Sequence, residues 1–356
     1  MRILMLFISG LLAAITAPLV IDWYRRHRWL DDPQKAPHRK KTHRQPVPRG
    51  GGIVVFVSIL LTSLAFLQID GYLLAILLSA GLLTLVGFID DIKDISPFSR
   101  LGTGLLASLI VVGSGIGIAY ISNPFGPGVI HLNFPLWVFE FWGQTREIWV
   151  LSSLFAILFI NWNMNILNWA KGVDGQLPGF VSIAAIFIGL LSLRFQDDPT
   201  TFNTAHLSFI VAGAYLGLLI WNWYPQKMMP GYGAGSLAGF FLSVLAILSG
   251  AKVAATLMVL ALPTADGIFT ILRRILAGKS PLWGDRGHLH HKLMDLLGWG
   301  KRRIAVFYWL VSLLLGTVSL YLGTVGKVVV FSLVVIFVFS FLIWAKRHSL
   351  KINPSN

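Results

Sequence analysis

The chain has 356 residues, of which 55% are hydrophobic and only 12% are charged, and its formal net charge is +14. A soluble domain has about twice this share of charged residues, so the composition indicates an integral membrane protein. The absence of cysteine excludes a disulfide framework, a thiolate metal site and a cysteine nucleophile. The basic residues cluster in a few loops, and we therefore expect anionic lipid headgroups and phosphorylated ligands as partners, and no nucleic acid.

Eleven apolar segments predict membrane-spanning helices, because a span needs about 20 mostly apolar residues. They begin near residues 3, 52, 72, 102, 148, 177, 205, 235, 253, 303 and 325. The first segment ends in Asp22-Trp-Tyr-Arg-Arg without a small-residue cleavage site, which predicts a first span rather than a signal peptide. The predicted fold class is all-α, with one polytopic membrane domain over residues 1–356.

The distribution of basic residues predicts the orientation, because cytoplasmic loops carry the excess of Lys and Arg. With the N-terminus outside, 24 of the 29 Lys and Arg residues fall on the cytoplasmic side; the other five are Arg2, Arg146, Arg194, Lys252 and Lys327. An odd number of spans then places the C-terminus in the cytoplasm. The loops that carry the candidate functional residues share that side, at 23–50, 90–101, 161–176, 222–234 and 273–303.

The outer side has fewer polar features. Its aromatic-rich connection, 123–147, includes Phe125, Phe134, Trp137 and Trp142. We expect these rings to settle at the level of the lipid headgroups rather than to form a binding site. The other outer polar segment is Gln196-Asp-Asp-Pro.

The first cytoplasmic loop runs from a basic cluster into three glycines, in the order His38-Arg-Lys-Lys-Thr-His43-Arg-Gln-Pro-Val-Pro-Arg49-Gly-Gly-Gly52. Basic side chains supply charge, and glycine lets backbone N–H groups approach a phosphate closely. Anchoring to anionic lipid explains the basic cluster equally well, but the glycines favour a ligand. Arg49 is therefore a candidate phosphate-binding residue.

The second loop begins with two adjacent aspartates, Asp90 and Asp91, at the end of a span. Neighbouring carboxylates repel each other unless a positive group lies between them, and Mg²⁺ with a diphosphate suits such an oxygen-rich site. The pair can also divide its work, one carboxylate holding the metal and the other accepting a proton from a nucleophile. A capped helix end with Lys93 and Arg100 as solvated neighbours is the alternative interpretation.

The third loop, Asn161 to Gly179, is polar although it follows an apolar run. It contains four asparagines, Lys171, Asp174 and glycines at 172, 175 and 179. Polar groups at the end of a span are tolerated mainly where they face a hydrated cavity or a partner, and the glycines predict backbone that leaves the helix. We predict a functional site here, with an ordinary polar loop as the alternative.

The fifth loop has three histidines within four positions, His288, His290 and His291, close to Arg286. Together they offer several hydrogen-bond donors to a phosphate or a sugar. A zinc site is the competing interpretation, since imidazole suits zinc. The tight spacing and the lack of a distant fourth ligand disfavour it.

Four motifs, in this order, resemble those of the polyprenyl-phosphate N-acetylhexosamine-1-phosphate transferases of glycosyltransferase family 4. They are Pro-Arg-Gly-Gly-Gly, Asp-Asp-x-Lys, Asn-x-x-Asn-x-x-x-Gly-x-Asp-Gly and Asp-Arg-x-His-Leu-His-His. The resemblance implies transfer of a sugar 1-phosphate from a UDP-sugar to undecaprenyl phosphate, with release of UMP and with Mg²⁺, or Mn²⁺, as cofactor. The leucine in the histidine motif and the eleven spans resemble the GlcNAc-type branch more than the peptidoglycan-precursor branch.

The resemblance also implies residue roles. Asp90 and Asp91 match the aspartate pair held to act at the metal and at the lipid-phosphate nucleophile, and Asp174 and His290 are further implied catalytic residues. The nucleotide-side motif is matched by Asn165, Asn168, Gly172, Asp174 and Gly175, with Lys171 among them, and the sugar-recognition loop by Arg286, His288, His290 and His291. A bacterial inner (plasma) membrane protein that initiates a cell-envelope glycan, such as lipopolysaccharide or teichoic acid, is implied, and a homodimer is compatible with it.

Two positions depart from the family pattern. Lys171 and Gly233 each stand where the family usually has an aspartate, and the second of these aspartates is thought to bind the metal. Mg²⁺ needs few protein carboxylates, so Asp90 and Asp91 could still hold it; alternatively, Lys171 takes over part of the role of the metal.

Two other classes of protein are weighed against the enzyme. One is a relative that binds polyprenyl phosphate without turnover, which only the two departures favour. The other is a transporter, which is disfavoured because all polar motifs lie on one side, whereas transport sites lie near the midplane of the membrane.

Overall fold

A computed structural model describes residues 1–35, 42–141, 144–194, 199–250, 253–281 and 285–352. Parts of the predicted loops 23–50 and 273–303, Trp142 in the aromatic connection, and Gln196-Asp-Asp of the outer polar segment lie outside these ranges. The helices are α1 (Arg2–Arg26), α2 (Gly51–Phe66), α3 (Gly71–Lys93), α4 (Pro97–Gly113), α5 (Val150–Trp169), α6 (Gln176–Ser192), α7 (Pro199–Asn222), α8 (Gly231–Leu248), α9 (Val253–Val259), α10 (Ala261–Leu276), α11 (Leu289–Leu297), α12 (Lys301–Tyr321) and α13 (Thr324–Ile352). The fold class is therefore all-α, as predicted.

Seven helices in the described ranges are long and apolar enough to cross a membrane: α1, α3, α5, α7, α8, α12 and α13. The pair α9 and α10 adds an eighth span if the two are counted as one, although they are bent by 85°. Three further apolar helices, α2, α4 and α6, have only 16 or 17 residues. Every predicted span falls on one of these helices, but eleven full-length spans are not confirmed, and the orientation of the termini stays a prediction.

The helix α8 forms the centre of the bundle, since 89% of its most apolar 18-residue stretch is buried, whereas the corresponding stretch of α13 is only 17% buried. Outer helices instead expose large apolar side chains, such as Phe7 on α1 and Phe337 on α13. Lipid tails would cover such surfaces in a membrane, where helix association depends on close packing of small residues and on interhelical hydrogen bonds. Ser9 of α1 illustrates the second, because its hydroxyl donates to the carbonyl of Ile210 on α7 over 2.7 Å.

Three glycines bring α2, α3 and α8 into backbone contact. A Cβ added at Gly52 would lie 2.8 Å from the Cα of Gly233, and a Cβ added at Gly87 would lie 2.5 Å from the same atom. Real Cβ contacts are longer than this, so side chains at these positions would push the helices apart. The residues just beyond the contact, Arg49 and the Asp90–Asp91 pair, are thereby fixed relative to the start of α8.

Within the described residues, six short strands accompany the helices: β1 (Leu30–Asp31), β2 (Val47–Pro48), β3 (Tyr120–Ser122), β4 (Val129–His131), β5 (Leu136–Phe141) and β6 (Gln144–Trp149). They pair antiparallel as β1–β2, β3–β4 and β5–β6. The last two pairs occupy the aromatic connection, for which no strands were expected, and they expose Phe125, Phe134 and Trp137. The interfacial role predicted for these rings stays a prediction.

Candidate active site

One cavity, of about 490 Å³, lies at the end of the bundle where the predicted motifs meet. Nine of the residues predicted for the site line it: Arg49, Asp90, Asn165, Asn168, Lys171, Gly172, His288, His290 and His291. These residues come from four separate segments of the chain. The structure therefore brings the motifs together, as a common site requires.

The asparagines of the third motif belong to α5 and not to a loop. The helix continues to Trp169, so the predicted loop 161–176 is reduced to the short stretch before α6 begins at Gln176. Each asparagine amide donates to the carbonyl four residues earlier, as Asn165 does to Asn161 over 2.8 Å and Asn168 to Met164 over 2.9 Å. These bonds satisfy the amide N–H groups inside the helix and leave the side-chain oxygens of Asn165 and Asn168 as acceptors beside the cavity.

Lys171 follows α5 and points its ammonium at neutral oxygens. Its Nζ donates to Oδ1 of Asn168 over 2.8 Å and to the carbonyl of Gly231 over 2.5 Å. Burial lowers the pKa of Lys171 to about 7, although Asp91 and Asp90 act in the opposite direction. A phosphate beside this amine would raise its pKa again, because an anion favours the charged form.

Asp90 lines the cavity but is already paired. Its Oδ1 accepts from Nε of Arg100 over 2.7 Å and from the backbone N–H of Ile95 over 3.2 Å. Arg100 also binds Asp94, and its guanidinium lies 5.5 Å from the ring centre of Tyr232, another lining residue. This group holds the short connection between α3 and α4 against the start of α8.

Asp91 lies behind the cavity wall rather than on it. Its Oδ1 is buried and has no hydrogen-bond partner among the described residues, while Oδ2 accepts from the hydroxyl of Tyr24 over a long 3.4 Å. A Cβ added at Gly231 would lie 2.6 Å from Oδ1, so Gly231 leaves the space that Asp91 fills. Lys171 and Arg49 act on this carboxylate electrostatically.

The first loop closes another side of the cavity. Arg49 donates to Oδ2 of Asp31 from Nε over 3.0 Å and from Nη2 over 2.6 Å, and this pair raises the pKa of Arg49 against the effect of its burial. The hydroxyl of Thr42 donates to the carbonyl of Gly172 over 3.2 Å. The first loop and the third motif are thus joined by direct contact.

His288 is oriented by Asp266, a buried aspartate of α10. Oδ2 of Asp266 lies 2.9 Å from Nδ1 of His288, and its Oδ1 accepts from the backbone N–H of Leu289 over 2.9 Å. The same carboxylate therefore caps α11 and fixes the imidazole. With Nδ1 bonded to a carboxylate, Nε2 is the ring nitrogen left to act as an acceptor.

His290 packs directly on the third motif. A Cβ added at Gly172 would lie 1.9 Å from Nε2 of His290, so only glycine permits this contact. The rings of His288 and His290 are parallel at a centroid distance of 5.7 Å. Burial, and then neighbouring positive charge, lowers the pKa of His290 well below its usual range and that of His291 to about 4, so both are neutral at pH 7.

The loop before α11 is tied down by two arginines. Nη2 of Arg273 binds both oxygens of Asp285, over 2.7 and 2.8 Å, and Nε of Arg274 binds Oδ2 over 2.9 Å. These bonds hold the pKa of the Asp285 carboxyl well below its usual value, against the effect of its burial. Arg274 and Asp285 line the cavity, and the guanidinium of Arg274 lies 5.3 Å from the ring centre of Trp169.

Three other predicted site residues do not line the cavity. Asp174 is buried and accepts from Nζ of Lys301 over 2.9 Å. The backbone N–H of Gly175 donates to Asn222, and its φ of +78° needs glycine. Arg286 makes a bidentate pair with Asp295, over 2.9 and 2.7 Å. In this structure all three fix the frame around the cavity.

The described residues do not form a good site for the expected Mg²⁺. They contain no group of three His, Cys, Asp or Glu suited to a metal ion, so a Mg²⁺ ion here would take most of its ligands from water and substrate phosphates. Asp90 already accepts a hydrogen bond from the guanidinium of Arg100, and Asp91 does not line the cavity. The third motif adds a cation, Lys171, close enough to act electrostatically on Asp91. Magnesium binding at Asp90 and Asp91 therefore stays a prediction that this donor set does not favour, and the zinc interpretation fits no better.

Sequence reasoning missed several residues of the site. Asp266 gives the clearest signal. An ionisable side chain inside an apolar segment costs free energy, so a lone aspartate there indicates a function. The importance of Asp31, Trp169 and Tyr232 depends on helix packing, and nothing in their local sequence indicates it. Arg100, Arg274 and Asp285 lie in the polar loops but had no assigned role.

The fold and the cavity define a multi-pass membrane protein with a charged site at the end of its helix bundle. The chain belongs to glycosyl transferase family 4, whose pattern matches residues 73–250. The resemblance to the polyprenyl-phosphate N-acetylhexosamine-1-phosphate transferases is thereby confirmed.

Three relatives illustrate the range of the family. The chain is 26% identical to a decaprenyl-phosphate N-acetylglucosaminephosphotransferase of Mycolicibacterium smegmatis, over 88% of this chain and 82% of the relative. It is 26% identical to a probable undecaprenyl-phosphate N-acetylglucosaminyl 1-phosphate transferase of Bacillus subtilis, over 82% and 77%. It is 30% identical to a phospho-N-acetylmuramoyl-pentapeptide-transferase of Shouchella clausii, over 89% and 96%. The chain is thus a transferase of the polyprenyl-phosphate type.

Proposed function

We propose that the chain transfers N-acetylglucosamine 1-phosphate from UDP-N-acetylglucosamine to undecaprenyl phosphate and releases UMP, at the cytoplasmic face of the inner membrane. An oxygen of the lipid phosphate attacks the phosphorus that carries the sugar, and the bond from that phosphorus to the bridging oxygen breaks. The bridging oxygen and its electron pair leave with UMP. The lipid phosphate attacks as an anion, so no proton has to move in this step.

The observation that carries the proposal is a cavity whose described lining includes residues from all four motifs. Phosphoryl transfer depends almost entirely on positioning and on neutralising the charge of the phosphates. The lining of this cavity supplies both. The fixed amides and the glycine backbone of the third motif, with the neutral histidines, can position the substrates, and Lys171 and three arginines can neutralise the charge.

The acceptor would enter beside Asp90 and Arg100. Close to them in the sequence, Ile89, Phe98 and Leu101 are 37%, 76% and 40% exposed. Exposed apolar side chains on the segments that carry Asp90 and Arg100 suit a ligand with a phosphate head and a hydrocarbon chain, since burying apolar surface is favourable by about 25 cal/mol per Å².

The sugar would lie at the histidine side of the cavity. His288 binds Asp266 through Nδ1, which leaves its Nε2 for a ligand. His290 is a neutral imidazole whose Nδ1 has no hydrogen-bond partner among the described residues. Such ring nitrogens can bind hydroxyl and amide groups. The leucine between them, Leu289, is buried and holds its N–H on Asp266. These contacts suit a hexosamine, and the two N-acetylglucosamine-type relatives favour that sugar over the N-acetylmuramoyl pentapeptide.

Membranes containing the chain test the proposal directly. Given radiolabelled UDP-N-acetylglucosamine and undecaprenyl phosphate, they are expected to form a butanol-extractable lipid product and one UMP for each sugar transferred. Parallel reactions with UDP-N-acetylgalactosamine and UDP-N-acetylmuramoyl pentapeptide identify the donor. Absence of a lipid product from all three donors would favour a relative that binds polyprenyl phosphate without turnover.

A further inference from the structure

Lys171 differs from the other cations of the cavity in what it binds. Arg49 is paired with Asp31, Arg100 with Asp90 and Asp94, and Arg274 with Asp285. In the described ranges, Lys171 is the one cavity-lining lysine or arginine that has no carboxylate oxygen within 4.0 Å of its charged nitrogen. Its charge is therefore not neutralised by a direct ion pair.

The ammonium is nevertheless held in place. Oδ1 of Asn168 and the carbonyl of Gly231 accept two of its three N–H groups, and Asn168 is itself fixed by donating to Ser236 over 2.9 Å. Among the described residues, no third acceptor is hydrogen-bonded to Nζ. The geometry leaves a positioned donor and a positive charge at the cavity wall, beside Gly172 and Asn165.

The second departure from the family pattern has a packing explanation. Position 233 lies at the contact of α2, α3 and α8, and a Cβ added there would lie 3.2 Å from the Cα of Gly52. Contacts of this length are tight even for one carbon, and the neighbouring atom is backbone, which yields little. A carboxylate at position 233 would have to separate the helices that fix Asp90 and Asp91.

The unpaired ammonium of Lys171 and the close packing at Gly233 both bear on which cation neutralises the phosphates of the substrate. We propose that the Lys171 ammonium is the fixed cation that binds the diphosphate of the nucleotide sugar, in place of a divalent ion held by the family aspartates. The inference rests on the proposed function for the identity of the ligand. Lysine binds phosphate as a point charge, and an amine held in place before the substrate arrives needs little reorganisation when charge develops. Free Lys171, with a pKa of about 7, is charged in about half of the molecules at pH 7, and an arriving phosphate favours the charged form. Binding and transfer are then independent of added divalent metal.

Binding of UDP to the full chain tests this separately from turnover. Radiolabelled UDP is equilibrated with the protein in lipid nanodiscs, in buffer with EDTA and in buffer with Mg²⁺. The wild-type affinity is expected to differ less than about twofold between the buffers. Lys171→Met is expected to weaken binding in EDTA by roughly 10- to 100-fold, the range of a lost charge-assisted hydrogen bond, whereas Lys171→Arg retains most of it.

Lys227→Met is the matched control. It removes the same charge from the segment before α8, but Lys227 lies over the ring of Trp221 and does not line the cavity. Its affinity for UDP is expected to equal that of the wild type. If Lys171→Met fails to insert, the comparison of the wild-type chain in EDTA and in Mg²⁺ still decides.

Two results would overturn the inference: loss of UDP binding in EDTA with recovery in Mg²⁺, or unchanged UDP affinity in Lys171→Met. Transfer measured in EDTA gives the second readout, and turnover that appears only with Mg²⁺ overturns the inference while leaving the proposed function intact. If instead UDP binds without metal but no donor yields a lipid product in either buffer, the proposed function fails and the role of Lys171 in binding stands.

Discussion

At the scale of single residues, the structure changes the interpretation of Asp174. The sequence motif makes it a catalytic residue, yet its carboxylate is buried, is bonded to Lys301 and does not line the cavity. The backbone N–H of Gln226 donates to its second oxygen over 3.2 Å. Asp174 thus joins the segment before α6 to the segment before α8 and to the first residue of α12, and these contacts favour a structural role over the predicted catalytic one.

A double-mutant cycle tests that role. Asp174→Asn leaves the ammonium of Lys301, whose side chain is only 13% exposed, without its partner, so we expect it to lower the free energy of unfolding by about 3 kcal/mol. Lys301→Met should do the same, and the double variant should recover part of the loss, because no unpaired charge remains. Unfolding in detergent measures the stabilities. A stable Asp174→Asn variant without turnover would return Asp174 to the chemistry.

His291 makes the stability depend on pH. Its pKa is about 4 in the folded chain, lowered by burial first and then by Arg286, and 6.5 is the ordinary value. Between these values the unfolded state binds more protons, so the folded state loses stability as the pH falls from 6.5 to 4. The expected loss is up to about 3 kcal/mol.

Unfolding measured across that pH range checks the prediction for His291. His291→Gln should reduce the slope of the unfolding free energy against pH below pH 6.5. His27→Gln, at an exposed position, should leave that slope as in the wild type. Equal slopes in His291→Gln and the wild type would mean that His291 takes up its proton in the folded chain as readily as in the unfolded one.

At the scale of secondary structure elements, the helices could be predicted from the length of each apolar run, but their ends could not. The stretch Asn161 to Trp169 has the composition of a loop, yet it remains helical because each asparagine bonds the carbonyl one turn earlier. The strands β5 and β6 were missed for a related reason. Their aromatic residues indicate a membrane interface as readily as a hairpin.

The contact of α2, α3 and α8 gives a prediction about helix packing. Gly87→Ala would place a Cβ 2.5 Å from the Cα of Gly233. We expect this variant to lose about 1–3 kcal/mol of stability through overpacking, and to lose turnover because α3 carries Asp90. Unfolding and transfer assays measure both effects.

Gly102→Ala is the matched control for this packing test. Gly102 lies on α4, and a Cβ added there meets no atom within 4 Å. The variant should be neutral or slightly stabilising, since alanine has the higher helix propensity. If Gly87→Ala were equally neutral, the contact between Gly87 and Gly233 would have room for a methyl group, and α3 and α8 would not be as closely packed as the structure shows.

At the scale of the whole molecule, the motifs predict a common site, but the partners within it depend on how the helices cross. Asp174 and Lys301 are 127 positions apart, and Asp266 reaches His288 from a different helix. No local pattern predicts such pairs. Arg49, Asn165 and His290 were identified because their motifs have recognisable spacing, and the cavity confirms that these residues lie together.

The predicted orientation can be tested with the chain as it is, because it has no cysteine. Phe125→Cys introduces a thiol at a residue that is 92% exposed in the aromatic connection, and Lys279→Cys introduces one at an exposed position beside the site loops. With the N-terminus outside, a membrane-impermeant maleimide added to intact cells should label the first variant only. Permeabilised cells should show labelling of both, which controls for reactivity. Labelling of Lys279→Cys alone in intact cells would reverse the orientation and would place the charged cavity on the outer face, where UDP-sugars made in the cytoplasm could not reach it.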